Sequence, residues 1–300
     1  MSKRNLLNLI LLGIVAILIL VVVYEPGVEE KTKPRLATLD KTTINKITLE
    51  RTGQRPLTLE KHDGNWMMQT PFQIRANKIK AESLLALVEQ ETFAQYPLKD
   101  LDVKSYGLDI PRASITFNDK ERFDFGGTEP LNKRRYVRYH DTLYVINDYF
   151  YYQLMSPVTM FVDHKLLPQS DHITKLVLPA LSLTLKDGTW QLHPKSDGQS
   201  NEQANELIEN WKLTHAMQIS DYDGKSAKQS AEVYLDNQDT PITFHILLDK
   251  EHFYLARPDL GLKYEIARDK ANELFKLPSK IDVPTEQHPA PVSNSTPEKN

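Results

Sequence analysis

The apolar and polar positions divide the chain sharply near its start. Residues 6–23 are apolar apart from Asn8 and Gly13, an unbroken run of 18 positions. At about 1.5 Å of rise per residue the run spans roughly 27 Å as a helix, close to the hydrocarbon core of a bilayer. Residues 6–24 therefore read as a transmembrane signal anchor behind a short N-terminus, residues 1–5. Lys3 and Arg4 precede the run, and Glu25, Glu29 and Glu30 follow it. By the positive-inside rule, residues 1–5 are cytoplasmic and the bulk of the chain lies outside. The competing reading is a cleaved signal peptide. Against it, the run is longer than the usual signal core and ends in Val21-Val22-Val23-Tyr24 rather than a small-residue cleavage site. No polar stripe marks it as the core helix of a soluble protein. No second small residue stands four positions from Gly13, so a Gly-x-x-x-Gly packing seam is absent.

Past the anchor the pattern changes to short alternating segments. Residues 25–41 are charged, carry Pro26 and Pro34, and read as a linker. Residues 44–49 and 56–61 read as strands, the second with Leu57 and Leu59 on one face. Asp63-Gly64 is a tight-turn signal, and residues 65–68 return as a third strand. Asn77 is a good N-cap for a helix to about residue 91. Its Ala81, Leu84, Leu85 and Val88 follow the spacing of a buried helical face.

The second half repeats this arrangement. Residues 173–178 echo 44–49, and 181–186 echo 56–61. Asp187-Gly188 is again a turn, and residues 189–192 return with Trp190 as 65–68 do with Trp66. Ser200 with Gln203 forms a capping box, opening a helix with Ala204, Leu207, Ile208 and Trp211 on one face. Trp66 and Trp190 are 124 positions apart, and Ala81 and Ala204 are 123 apart. A constant offset across strand, hairpin and helix predicts an internal duplication with a period near 120–125 residues. Trp66, Trp190 and Trp211 are all expected to fill cores.

Further alternating strands follow in each copy. In the first they carry Ala113, Ile115 and Phe117, then Phe123 and Phe125, then Arg135, Val137 and Tyr139, then residues 143–146. In the second they carry Val233 and Leu235, then residues 242–248, then Phe253 and Leu255, then Tyr264 and Ile266. Short helices near 148–155 and 269–277 close the two copies. The expected fold class is α+β, an N-terminal transmembrane helix followed by two tandem modules, each a mostly antiparallel sheet with one main helix. The modules are placed at 42–168 and 169–281. Residues 282–300 carry four prolines among polar residues and read as a disordered tail.

Composition narrows the chemistry. A net charge of −3 gives no field for nucleic acid, which is excluded as a partner. With no cysteine there is no disulfide, no thiolate metal site and no cysteine nucleophile. The nine histidines show no metal-ligand spacing, and Asp163-His164 and Asp171-His172 stand as isolated pairs in connector sequence. No cofactor or metal is expected. There is no Gly-x-Ser-x-Gly elbow. Gly126-Gly127-Thr128 leads into Glu129-Pro130 rather than a helix, so it reads as a bulge or strand-ending turn, not a phosphate loop. The densest basic cluster is Lys133, Arg134, Arg135 and Arg138. Alternation puts Arg134 and Arg138 on one strand face and Lys133 and Arg135 on the other. These four are the candidate interaction patch, set against a solvated strand face that discourages edge pairing. Tyr149-Phe150-Tyr151-Tyr152 is expected mainly to pack on the sheet, with an aromatic contact surface as the alternative.

Tyr106-Gly107-Leu108-Asp109 with Pro111, then Phe125-Gly126-Gly127-Thr128, then Arg135-Tyr136-Val137 and Leu143-Tyr144-Val145 together resemble the bacterial family called domain of unknown function 4340. The likeness covers about residues 40–280 and is clearest over 106–154. The second copy lacks both glycine motifs, although Asp259-Leu260-Gly261-Leu262 lies in a comparable region. The resemblance implies a single-pass protein of the bacterial inner membrane with a periplasmic domain, in the genomic neighbourhood of gliding-motility-type ABC transporters. It implies no catalytic residues. The resulting expectation is a non-enzymatic accessory or scaffold subunit of an envelope or transporter complex, with a protein partner in that complex. Behind it stand a module binding glycan, lipid or peptide between the two copies, and an envelope hydrolase with an unrecognised site.

Overall fold

The computed structural model describes residues 3–24, 34–167, 172–195, 200–224, 227–236, 238–249 and 251–278. The expected tail, 282–300, and residues 25–33 of the expected linker lie outside them. In chain order the elements are α1 (Lys3–Tyr24), β1 (Lys46–Arg51), β2 (Leu57–His62), β3 (Asn65–Thr70), β4 (Ile74–Arg75), α2 (Lys78–Leu85), β5 (Thr92–Pro97) and β6 (Ala113–Phe117). Then come β7 (Glu121–Thr128), β8 (Arg135–Tyr139), β9 (Thr142–Ile146), α3 (Tyr149–Leu154), β10 (Ile173–Val177), β11 (Ser182–Lys186) and β12 (Thr189–His193). The chain continues through α4 (Asn201–Leu213), β13 (Gln218–Asp221), β14 (Gln229–Leu235), β15 (Ile242–Leu248), β16 (Phe253–Arg257), β17 (Leu262–Ile266) and α5 (Lys270–Phe275).

The chain groups into two compact units, Met1–Pro56 with Glu82–Ser156, and Leu57–Ala81 with Pro157–Asn300. These units follow contact, whereas the expected modules at 42–168 and 169–281 follow the sequence repeat. Within the first unit, α1 opens on Lys3-Arg4-Asn5 and is apolar thereafter but for Asn8 and Gly13, and its side chains from Leu6 to Val21 are exposed on every side. Its length and composition suit a membrane span or a signal peptide.

The sheet strands of the first unit run β1-β6-β7-β8-β9-β5, all antiparallel. Alternation places Ile47, Leu49, Ile115, Phe117, Phe123, Phe125 and Val137 in the core. The β6–β7 turn has Asn118 at φ 50° and Asp119 at φ 58°, the left-handed pair that a two-residue hairpin requires. Residues 34–37 join this unit: Leu36 is buried and its N–H donates to the Gln90 carbonyl at 2.8 Å. Arg51 is buried with no carboxylate beside it. Its guanidinium donates to the carbonyls of Leu154, the last residue of α3, and Ser156 just past it, and burial pulls it down to about 10.

In the second unit, β2 and β3 form a hairpin extended by β4, with Asp63 at φ 48° and Gly64 at φ 80°. Its large sheet runs β12-β11-β10-β14-β15-β16-β17-β13. The predicted Ser200–Gln203 capping box is present at the start of α4. Ala204, Leu207, Ile208 and Trp211 are all buried, and Trp211 Nε1 donates to the Leu274 carbonyl at 2.8 Å.

The two sheets are built alike. The run β10-β14-β15-β16-β17-β13 matches β1-β6-β7-β8-β9-β5 strand for strand, each ending on the strand that precedes it in the chain. The β11–β12 hairpin matches β2–β3, and α4 matches α2. Three expectations need correction. Helix α2 ends at Leu85 and continues only as a 3-10 turn, Ala86–Glu89. Strands β5 and β13 were not foreseen. Trp190 does not fill a core: it lies on the terminal strand β12, half-exposed, with Nε1 donating to Asn205 Oδ1 at 2.9 Å.

Candidate functional site

The two glycine motifs of the first copy meet. A 3-10 turn, Val103–Tyr106, is capped by Asp102 and ended by Gly107 in the left-handed region at φ 65°. That reversal brings the Tyr106 carbonyl onto Gly126 and Gly127 at the end of β7. A β-carbon on Gly126 would collide with Tyr106 O, and one on Gly127 would sit 3.3 Å from it. The β7–β8 register shifts between Phe125 and Thr128, the bulge expected of a Gly-Gly-Thr strand end.

The bulge exposes the Gly126 carbonyl to Arg135. Arg135 Nη1 donates to it at 2.8 Å, and Nε donates to Asp148 Oδ1 at 2.7 Å. The guanidinium lies 3.8 Å over the Tyr151 ring and Arg135 is only 4% exposed. One arginine thus joins β7, β8 and the start of α3. A buried pair with this many satisfied donors is costly to break from either side.

On the opposite face of the strands, Glu50, Ser114, Asp124 and Arg138 form one cross-strand row. Asp124 is 3% exposed. It accepts from Ser114 Oγ at 2.6 Å, from Arg122 Nε at 2.9 Å and from Arg138 Nε at 3.0 Å. Arg122 also reaches Glu50 at 2.9 Å. Burial pushes the Asp124 carboxyl up, but the bonds from Ser114 and Arg138 and the charge of Arg122 outweigh it, and the net direction is down. Asp124 is held as an anion with its lone pairs occupied, an arrangement suited to rigidity rather than proton exchange.

The four basic residues of the predicted patch take different places. Lys133 is exposed in the β7–β8 loop with φ 53°. Arg134 lies half-buried, 3.6 Å over the Phe93 ring. Arg135 is interior, and Arg138 is paired with Asp124. Only Lys133 and Arg134 come together at the surface, beside Leu131, which is 91% exposed. The tyrosine run also divides. Tyr149 and Tyr152 are exposed, Phe150 is buried, and Tyr151 lies under Arg135.

Two cavities lie in the second unit. One, of about 700 Å³, is lined by residues of β13, β15, β16 and β17, Tyr254 and Lys263 among them. The other, of about 400 Å³, lies at the start of α2 and includes Trp66, Arg75, Asp163, His164 and His215. The Asp163-His164 pair, expected in bare connector sequence, lines this second cavity. Asp171 lies outside the described residues, and His172 donates its N–H to Asp236 Oδ1. Among the described residues no three His, Asp or Glu side chains group as metal ligands. The smaller cavity is not legible in the sequence because its lining comes from four separated segments. The unusual Trp66 of the first hairpin is the signal that could have marked it.

A model of the family Domain of unknown function (DUF4340) matches residues 89–238. The chain belongs to this family. No curated protein and no solved structure matches it. The DUF4340 span runs from β5 to β14 and contains both glycine motifs, the Arg135–Asp148 pair and the Asp124 cluster apart from Glu50. It is narrower than the likeness over 40–280, leaving out α1, β1, the first hairpin and the last three strands. The DUF4340 motifs resolve into contacts: two backbone stretches that must touch, and one arginine that fastens the bulge they create.

Proposed function

We propose that the chain is a non-enzymatic, single-pass membrane protein, an accessory or scaffold subunit of an envelope or transporter complex. The observation that carries this reading is α1, apolar from Leu6 onward but for Asn8 and Gly13 and exposed on every side from Leu6 to Val21, followed by two repeated α+β sheets. Lys3 and Arg4 at its first turn, ahead of the apolar run, support a cytoplasmic N-terminus and an extracytoplasmic bulk, with the bacterial inner membrane as the site. The family's motifs are accounted for by packing, and its charged residues Asp124 and Arg135 by internal pairing. The surface that best suits a partner is the β7–β8 loop. It is closed by Glu129 N–H to Arg134 O and by Lys133 N–H to Glu129 O. It presents exposed Leu131 and Lys133 and, stacked on Phe93, Arg134, a residue type enriched at interface hot spots.

The test is purification of the full-length protein from its own membrane in mild detergent, with partners read by mass spectrometry. A stoichiometric membrane-transport or envelope protein is expected, retained by the native chain and lost from a Lys133→Glu/Arg134→Glu variant. Recovery of the chain alone, after gentle cross-linking as well, would overturn the reading.

A further inference from the structure

The first unit gathers exposed apolar side chains at one end of its sheet. Thr128, Arg135, Ile146 and Thr92 stand in one row across β7, β8, β9 and β5. β7 and β9 finish on this row and β8 and β5 begin on it, so it marks an end of the sheet. Beyond it lies the β7–β8 loop with Leu131. Helix α3 crosses the same end, held by Arg135 at Asp148 and by Arg51 at the Leu154 carbonyl, with Tyr149 and Tyr152 outward. Ile110 precedes β6, which opens at this end with Ala113 opposite Phe125. Ile110, Leu131, Tyr149 and Tyr152 are between 69% and 91% exposed. The turns at the other end are polar throughout, Asn118-Asp119-Lys120 and His140-Asp141. Single exposed apolar side chains are ordinary, but a set gathered at one end against polar turns at the other points to a contact.

The chain enters the unit at this same end. Thr92 N–H donates to the Pro34 carbonyl at 2.8 Å, and Pro34 is the first described residue after α1. Arg134, from the β7–β8 loop, stacks on Phe93, the next residue of β5. From Tyr24, the last residue of α1, to Pro34 is ten residue steps, at most about 35 Å along any path. The folded part of the unit is roughly 100 residues, about 30–35 Å across. With α1 in the bilayer, turning the polar end to the membrane would take the tether at nearly full stretch. The Pro34 end is therefore the near one, and its chemistry matches that position. Tyrosine rings favour the headgroup level, Leu131 and Ile110 suit the acyl boundary, and Lys133 and Arg134 complement anionic headgroups.

We propose that this end of the first unit rests on the outer surface of the membrane that α1 spans, with Ile110, Leu131, Tyr149 and Tyr152 at the lipid boundary. The inference rests on the reading of α1 as a membrane span, and it puts any partner of the β7–β8 loop at headgroup level. The chain has no cysteine, so a single introduced one can carry a nitroxide in the full-length protein. The protein is reconstituted into vesicles of mixed phosphatidylglycerol and phosphatidylcholine. The variants are Leu131→Cys and Tyr152→Cys at the proposed contact, Asp119→Cys and Asp141→Cys at the other end, and Ile14→Cys in α1. Collision of each label with oxygen, which concentrates in lipid, is compared with collision with a water-soluble nickel chelate. Labels in place of Leu131 and Tyr152 should favour oxygen, and those in place of Asp119 and Asp141 should favour nickel. Vesicles of phosphatidylcholine alone should lower the ratio of docked to undocked protein about tenfold, from the attraction lost at Lys133 and Arg134. If the Leu131 and Tyr152 labels meet nickel as freely as the Asp119 and Asp141 labels, while the Ile14 label lies in lipid, this proposal alone is overturned. An Ile14 label that also meets nickel would overturn the reading beneath it. Shielding of the Leu131 and Tyr152 labels from both reagents would mean that protein covers them, and would overturn the proposal as well.

Discussion

The carbonyl oxygen of Tyr106 occupies the space that a β-carbon on Gly126 would fill. The contact is backbone against backbone, so no side chain can swing aside to relieve it. Gly126→Ala must therefore push the 103–108 turn off β7, loosening the bulge and the Gly126 carbonyl that Arg135 holds. Equilibrium urea unfolding should show a loss of about 2–3 kcal/mol, in the range of overpacked sites. An unchanged midpoint would show that the turn moves freely.

Arg135 should tolerate no conservative replacement. Lysine keeps the charge but cannot reach both Gly126 O and Asp148 while covering Tyr151. Arg135→Ala leaves a carboxylate and a carbonyl in a poorly solvated site and should cost about 3–5 kcal/mol. Arg135→Lys should recover less than half of that. A double-mutant cycle with Asp148→Asn would measure the coupling, and additivity of the two changes would refute the pairing as the cause.

The Asp124 cluster gives a pH dependence of known sign. Its carboxyl titrates lower in the folded chain than in the unfolded one, so its stabilisation is complete above the unfolded value of about 3.9. It is lost as pH falls through the folded value. The stability gap between the native chain and Asp124→Asn should therefore be widest at neutral pH and close below about pH 4. A gap that stays constant from pH 7 to pH 3 would mean the carboxyl's charge is not what stabilises the row.

Removing residues 3–24 should convert the protein from one resistant to alkaline carbonate extraction into one found in the soluble fraction. A protein that is already soluble with α1 intact, or whose mature form lacks α1 by N-terminal sequencing, would identify the helix as a processed signal.

Charge reversal at Lys133 and Arg134 should cost no more than about 1 kcal/mol of stability, the worth of the Arg134–Phe93 stack. Retention of a membrane partner should fall with it. Loss of folding instead would assign those side chains to the structure of the loop.

Much of this fold is legible because its signals are local. Asp63-Gly64 and Asp187-Gly188 turn where they should because both central residues must accept positive φ. Ser200 and Gln203 cap α4 within four residues of each other. What was missed is non-local. Strand β5 is half-polar and recognisable only through its pairing with β9, and β13 only through β17. Trp66 and Trp190 share the same local sequence pattern, yet one is buried and the other half-exposed, because burial depends on what the rest of the chain lays over each hairpin. Lys133–Arg138 reads as one cluster in sequence. The structure spends Arg135 and Arg138 internally, on Asp148 and Asp124, which lie 13 and 14 residues away from them.

The placement of β5 outermost beside β9 has a consequence for how the chain is made. Gln95 pairs with Tyr144, so one side of the sheet waits for about fifty residues to follow before its last strand can dock. The same delay recurs between β13 and β17 in the second copy. At typical synthesis rates that is on the order of seconds with an unpaired strand exposed, twice in one chain. During that interval the survival of a newborn molecule depends on nothing else pairing with the strand first.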